Sequence, residues 1–303
     1  MPHVAHFALL TLLLLTCSAP AVLAQNILPL YDGPPPCAVE GPEPDGTEQR
    51  DNIGLVVTKV DVPTLHHYAP VPALSRGAAV IIAPGGGYHV QAWDWEGVAF
   101  AHRLTTAGYH VFVLRYRLPA TMENGNCKSQ TALADGLRAV ELVREQADSL
   151  GYAADKIALM GFSAGGHLAG SIAVYGDGES RPDASILVYP VTIMSADSAT
   201  HFGSAQALLG EDYLQHPQRS LFDLPGNIHA KMPPTLLVHA SDDKAVPPEN
   251  SLRYYSALVQ HGVPADLRVY ANGGHGFSLG NHYPGPVNAW FDEVLRWLET
   301  QDF

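Results

Sequence analysis

Six short, β-rich apolar runs separated by helix-length amphipathic segments constrain this chain more than any other feature. The runs are AAVIIA at 78–83, HVFVLRY at 110–116, KIALMGF at 156–162, ASILVYP at 184–190, PTLLVHA at 234–240 and ADLRVY at 265–270. Near-continuous apolar runs of this length are expected of strands covered on both faces. Candidate helices fall between and after them, at 94–107, 129–150, 164–174, 248–261 and 287–300. Parallel neighbours need crossover connections, so the alternation predicts an α/β fold with a mainly parallel central sheet and helices on both faces. The weaker run VVTKVDV at 56–62 is expected to add an antiparallel edge. With no internal repeat and no second core, residues 52–303 read as a single α/β domain. At 47% hydrophobic and 16% charged over 303 residues, the composition supplies a core and is too weakly charged for disorder.

The N-terminal segment has another character. Residues 1–24 contain no Asp, Glu, Lys or Arg, the apolar run Phe7 to Thr16 is too short to span a bilayer, and Val22-Leu23-Ala24 precedes Gln25. This is the pattern of a cleaved secretory signal, with His3, His6 and the terminal amine standing in for the usual Lys or Arg. A buried helix there would need a polar face, which the segment lacks. Leu14-Leu15-Thr16-Cys17 loosely resembles a lipoprotein box, but Thr16 is a poor residue before an acylated cysteine. The expected location is secreted or periplasmic, without stable membrane insertion. From Gln25 to Thr47 the proline-rich stretch is expected to be extended, so 25–51 reads as an arm ahead of the domain. Loss of the signal leaves Cys37 and Cys127, either a disulfide or two free thiols, with geometry to decide. Neither has the neighbours of a catalytic thiol, and no Cys/His spacing suggests zinc. A net charge of −13 argues against nucleic acid as a partner.

Chemistry enters at Gly161-Phe162-Ser163-Ala164-Gly165, a G-x-S-x-G set between a predicted strand and a predicted helix. A serine on such an elbow projects its hydroxyl from the sheet edge, and the helix N-terminus directs partial positive charge towards a developing oxyanion. A serine hydroxyl needs a base and an orienting carboxylate. Both follow in the order this elbow demands. Asp243 lies after the strand ending at Ala240, with neighbouring Asp242 read as a turn or cap residue, and His275 sits among glycines after the strand ending at Tyr270. His282 is the nearby rival for the base.

Pro84-Gly85-Gly86-Gly87-Tyr88 follows the strand at 78–83, where bare backbone N–H groups of Gly86 and Gly87 can complete an oxyanion hole with that of Ala164. A phosphate-cradling loop fails on spacing, since Val90 stands where a dinucleotide fingerprint needs glycine and no Lys-Ser/Thr pair follows. Tyr88, Trp93 and Trp95 are candidates for stacking on sugar rings at a cleft mouth, or for plain packing. Glu96 reads as a first-turn helix residue. The interruption from Thr192 to Met232 reads as a lid, a cleft wall or a decorated loop, with a short helix near 204–209.

PGGGYH at 84–89, YRLP at 116–119, GFSAGGHLA at 161–169, PPTLLVHASDDKAVPPENS at 233–251 and GGHGF at 273–277 together resemble an α/β-hydrolase of the secreted carbohydrate-esterase type. The group contains acetylxylan and feruloyl esterases and xylanase-associated hydrolases. The resemblance covers roughly 52–300 and implies an α/β-hydrolase fold with a Ser163-His275-Asp243 triad, acting without metal or organic cofactor. The expected substrate is an acylated, foremost acetylated, plant carbohydrate such as xylan. Feruloyl and promiscuous carboxylesterases share these motifs, as do related serine peptidases, although no acidic pair is evident to hold a peptide amino terminus. A catalytically dead binding module is opposed by the presence of every triad and oxyanion element.

Overall fold

In a computed structural model, which describes residues 25–38, 45–122 and 127–303, the strands are β1 (Gln25–Pro29), β2 (Gly46–Arg50), β3 (Gly54–Lys59), β4 (Thr64–Tyr68), β5 (Ala79–Ala83), β6 (His110–Arg115), β7 (Ile157–Phe162), β8 (Ala184–Val188), β9 (Thr235–Ala240) and β10 (Ala265–Tyr270). The expected signal segment, with Cys17, lies outside the described residues. Among those described, eight strands make one sheet in the order β1-β4-β6-β5-β7-β8-β9-β10. Every pairing from β6 to β10 is parallel, while β4 runs antiparallel to both β1 and β6. The architecture is thus the α/β fold with a mainly parallel central sheet that the strand and helix alternation predicted.

The helices are α1 (Ala99–Thr106), α2 (Lys128–Glu145), α3 (Ala147–Leu150), α4 (Ser163–Tyr175), α5 (Phe202–Leu209), α6 (Arg219–Phe222), α7 (Glu249–Gln260) and α8 (Trp290–Thr300). Side chains alternate across each strand, so neighbouring residues serve opposite cores. Ala79, Ile81 and Ala83 of β5 pack with Ala139, Leu168, Ile172 and Leu258 from α2, α4 and α7. Val80 and Ile82 pack on the other face with Phe100, Leu104, Trp290 and Val294 from α1 and α8. This two-sided burial is why the six runs carry no polar alternation.

The N-terminal expectations require correction. Gln25–Pro29 is no free arm but the edge strand of the main sheet, in register with Thr64–Tyr68. Leu30 to Pro36 then lies over α2, where Arg117 donates to the Pro36 carbonyl at 2.6 Å and Arg138 to the Leu30 carbonyl at 3.1 Å. Proline excludes helix and central strand but permits an edge, which needs no second ladder. The folded body therefore includes residues ahead of Asn52. The antiparallel edge expected at 56–62 is instead a separate hairpin of β2 and β3, docked through Val57 and Gln91, whose backbones exchange hydrogen bonds at 3.0 and 2.8 Å. Of the two states open to the cysteines, the structure has the disulfide, Cys37 to Cys127, with Cα atoms 6.1 Å apart.

The segment 192–232 is packed down rather than splayed. Leu208, Phe222 and Leu224 join the core beside Leu168, and the Asn250 carboxamide receives the N–H groups of Thr192 and Ile193 at 2.8 and 3.0 Å. Among the described residues, no helix is long and apolar enough to cross a membrane.

Candidate active site

Strand register assembles the site. β5 and β7 are parallel neighbours with Ala83 opposite Gly161, so the glycine loop leaving β5 and the serine elbow leaving β7 emerge side by side. On the other flank Ala240 faces Tyr270, which brings the loops carrying Asp243 and His275 together. All four lie at the carboxyl ends of parallel strands, where ligands bind in open α/β sheets.

Ser163 begins α4 at φ 51°, the left-handed region. Its flanking glycines are required by closeness: a Cβ on Gly161 would fall 2.2 Å from the Gly165 carbonyl oxygen, and one on Gly165 would fall 2.2 Å from that of Ala83. Ser163 Oγ lies 2.8 Å from His275 Nε2, and His275 Nδ1 lies 2.7 Å from Asp243 Oδ2. The carboxylate can only accept from Nδ1–H, which leaves Nε2 of a neutral imidazole to accept the serine proton.

Asp243 is buried, and its other oxygen accepts the N–H groups of Ala245 and Val246 at 3.0 and 2.9 Å. Burial opposes its charge, but hydrogen bonds from His239 and His275 outweigh that penalty and hold the carboxyl well below the usual carboxylate range. His239, fully buried with Nε2 3.3 Å from Asp243 Oδ2, went unnoticed in sequence because nothing in its spacing marks it. Asp242 does not reach the imidazole and accepts the N–H of Gly274 at 2.8 Å, steadying the histidine loop. His282 is exposed and lies against the Trp95 ring, away from the serine.

A family model described as alpha/beta hydrolase fold matches residues 80–279, a span that holds the glycine loop, the serine elbow and the loops of Asp243 and His275. The chain is an alpha/beta hydrolase. Its sequence is 32% identical over 237 residues to an acetylxylan esterase of Xylanibacter ruminicola, covering 76% of this chain and 47% of that protein. It is 31% identical over 257 residues to endo-1,4-beta-xylanase B of Butyrivibrio fibrisolvens, covering 79% and 39%. The hydrolase thus spans about half or less of these curated relatives. Among solved structures it is similar to an acetyl ester-xyloside bifunctional hydrolase from Caldicellulosiruptor lactoaceticus, with TM-score 0.74, 30% identity, and 93% and 98% of the two chains covered.

The glycine loop of the hydrolase passes close behind the serine, where a Cβ on Gly85 would sit 3.0 Å from that of Ser163. Gly86 has φ 131°, and a Cβ there would strike the Val90 carbonyl oxygen at 2.3 Å. Ala164 occupies the first turn of α4, so its N–H has no partner within the helix. Gly87 faces α5, its ideal Cβ lying 3.8 Å from Ser204 Oγ, so the 192–232 segment stands beside the loop as a wall.

For two of the three aromatic candidates the structure takes the packing alternative. Tyr88 is buried with its hydroxyl 2.8 Å from His167 Nδ1, and Trp93 is buried edge-on to His66 at 4.7 Å. Both sit on segments that turn inward, so they pack instead of lining a mouth. Trp95 keeps part of its ring open, donates its indole N–H to the Gly276 carbonyl at 2.9 Å, and lies parallel to His282 at 6.3 Å. Glu96 is the first-turn residue expected, and it is buried. The π-helical turn Trp93–Val98 directs it inward, where it accepts from Gly85 N–H at 2.8 Å and Tyr189 O–H at 2.9 Å.

Proposed function

We propose that this alpha/beta hydrolase is a secreted serine esterase that removes acyl groups, acetyl foremost, from plant polysaccharides or oligosaccharides such as xylan. The observation that carries the reading is the unbroken hydrogen-bond line from Ser163 through His275 to buried Asp243. Ser163 Oγ attacks the ester carbonyl as His275 Nε2 takes its proton, and the Asp243 carboxylate stabilises the imidazolium formed. The N–H groups of Gly86, Gly87 and Ala164 receive the oxyanion. His275 returns the proton to the departing sugar alcohol, leaving an acyl-enzyme, and then activates water to release the acid. These steps need no metal or organic cofactor.

The relatives named for acetylxylan and xylan support the carbohydrate class, and a net charge of −13 suits neutral xylan better than polyuronate. Trp95, with part of its ring open, is the aromatic candidate for a sugar face. Secretion is supported by the apolar run at 7–16 and by a disulfide, a bond that persists in oxidising compartments.

The test is acetate release from acetylated xylo-oligosaccharides by wild type and Ser163→Ala, with feruloyl esters, glucuronoyl esters and amino-acyl p-nitroanilides alongside. Acetate release lost in the variant is the expected result. Turnover of the anilides with no deacetylation would replace this reading by a serine peptidase.

A further inference from the structure

Glu96 is a fully enclosed carboxyl that the steps above do not use. The turn bearing it makes contacts in several directions. Asp94 accepts the N–H of Leu55 at 2.8 Å, tying down the β2–β3 hairpin. The backbone carbonyl of Trp95 accepts from Ser278 Oγ at 2.6 Å, and its indole holds Gly276, so two residues just after His275 are fixed to this turn. One oxygen of Glu96 holds Gly85, the first glycine of the loop behind Ser163. Its other oxygen holds the hydroxyl of Tyr189, which in turn accepts the N–H of Ser278 at 3.3 Å. The Tyr189 ring packs edge-on against His275 at 5.2 Å, and its backbone has φ 35°, a conformation that non-glycine residues seldom adopt. One carboxylate therefore joins the two loops that must keep register in the reaction.

We propose that Glu96 is a positioning residue for ester hydrolysis, setting the glycine loop against the His275 loop through Gly85 and Tyr189. The inference rests on the serine-esterase reading. A single acceptor group spans both connections, so an amide in its place either sets its NH₂ against the Gly85 N–H or reverses the Tyr189 bond and takes the acceptor from that hydroxyl's proton. The groups that face it are Tyr189 from the end of β8, Tyr116 after β6 and His275 from the loop after β10, while Asp243 from the loop after β9 acts on the same Tyr189 hydroxyl. Burial pushes the Glu96 carboxyl up, while the Tyr189 hydroxyl, a positive charge on His275 and the Gly85 N–H all favour its ionised form.

The experiment compares wild type, Glu96→Gln and Tyr189→Phe on p-nitrophenyl acetate across pH, with thermal unfolding of each. Wild-type turnover that vanishes in Ser163→Ala establishes the esterase reading independently; without it, that reading fails and not this one. Given that turnover, Glu96→Gln is expected to lower kcat about 10- to 100-fold with KM within about threefold, the scale of slight misplacement of reacting groups. A loss carried by kcat with KM held is the mark of positioning that mere loosening of the cleft would not produce. Tyr189→Phe, which deletes one oxygen and retains the ring, should lower kcat in the same direction and decides the matter alone should Glu96→Gln not fold. A kcat within threefold of wild type in the variants that fold, or a loss carried by KM with kcat unchanged, overturns the proposal.

Discussion

Tyr88 donates its hydroxyl proton to Nδ1 of His167 at 2.8 Å, joining the glycine loop to the helix that begins at Ser163. The direction of that bond is fixed by the other ring nitrogen, since Nε2 lies 2.9 Å from the Phe222 carbonyl, which can only accept. His167 must therefore be neutral, with its proton on Nε2, to hold loop, helix and the 192–232 segment together.

Acid should break this junction. Burial lowers the His167 pKa from 6.5 to about 4. An unfolded chain takes up the proton near pH 6.5 while the folded one resists until about pH 4, so stability falls as pH drops through that interval, by up to about 3 kcal/mol from this group. His66 and His67, also lowered to about 4 chiefly by burial, add to the same slope. Urea unfolding at pH 7 and pH 4.5 should show a larger loss in wild type than in His167→Gln. Equal losses would remove His167 from the account.

The neighbouring aspartates should differ sharply. Asp243→Asn is expected to lower kcat about 10⁴-fold by mis-setting the imidazole tautomer, whereas Asp242→Asn keeps an acceptor oxygen for Gly274 and should stay within about tenfold of wild type. Steady-state kinetics on p-nitrophenyl acetate checks both; a worse Asp242 variant would shift the carboxylate by one residue.

Gly86→Ala should damage catalysis more than folding. Its Cβ would enter the Val90 carbonyl at a backbone angle that favours glycine, displacing the loop proposed to receive the oxyanion. A fall in kcat of about 10²- to 10³-fold is expected, the cost of losing one such donor. Circular dichroism alongside kinetics separates this from misfolding.

The pH–rate profile should identify the base. A neutral His275 is needed to accept the serine proton, so kcat/KM on a non-ionising ester should rise through one ionisation with increasing pH. His282→Ala should retain that limb and His275→Ala should lose nearly all turnover. The reverse pattern would exchange their roles.

The central fold and the candidate triad were legible because their determinants are local or periodic. Ile81 and Val80 had to be apolar for opposite cores, and Ser163 had to lie between glycines where strand and helix nearly touch. Glu96 and His167 were illegible for the opposite reason: their partners Tyr189 and Tyr88 lie 93 and 79 residues away and are reached by folding, not by spacing. Tyr88 and Trp93 stayed open between packing and a cleft mouth because a turn following a glycine loop can face either way. In β1, proline suggested an arm, whereas an edge strand asks only for pairing on one side.

The disulfide closes a loop of chain from Cys37 to Cys127 that contains β2 to β6, the glycine loop and the Glu96 turn, while Ser163, Asp243 and His275 all lie beyond it. The exposed turn at Asp51–Asn52 falls inside that loop. A protease cutting there would divide the polypeptide without dividing the molecule: β1 and β2 would stay bonded to the remainder through Cys127. The larger piece would still hold the glycine loop and all three residues of the hydrogen-bonded line. Such a nick would be visible on a gel only after reduction, and the edge strand would keep its place in the sheet despite the broken backbone.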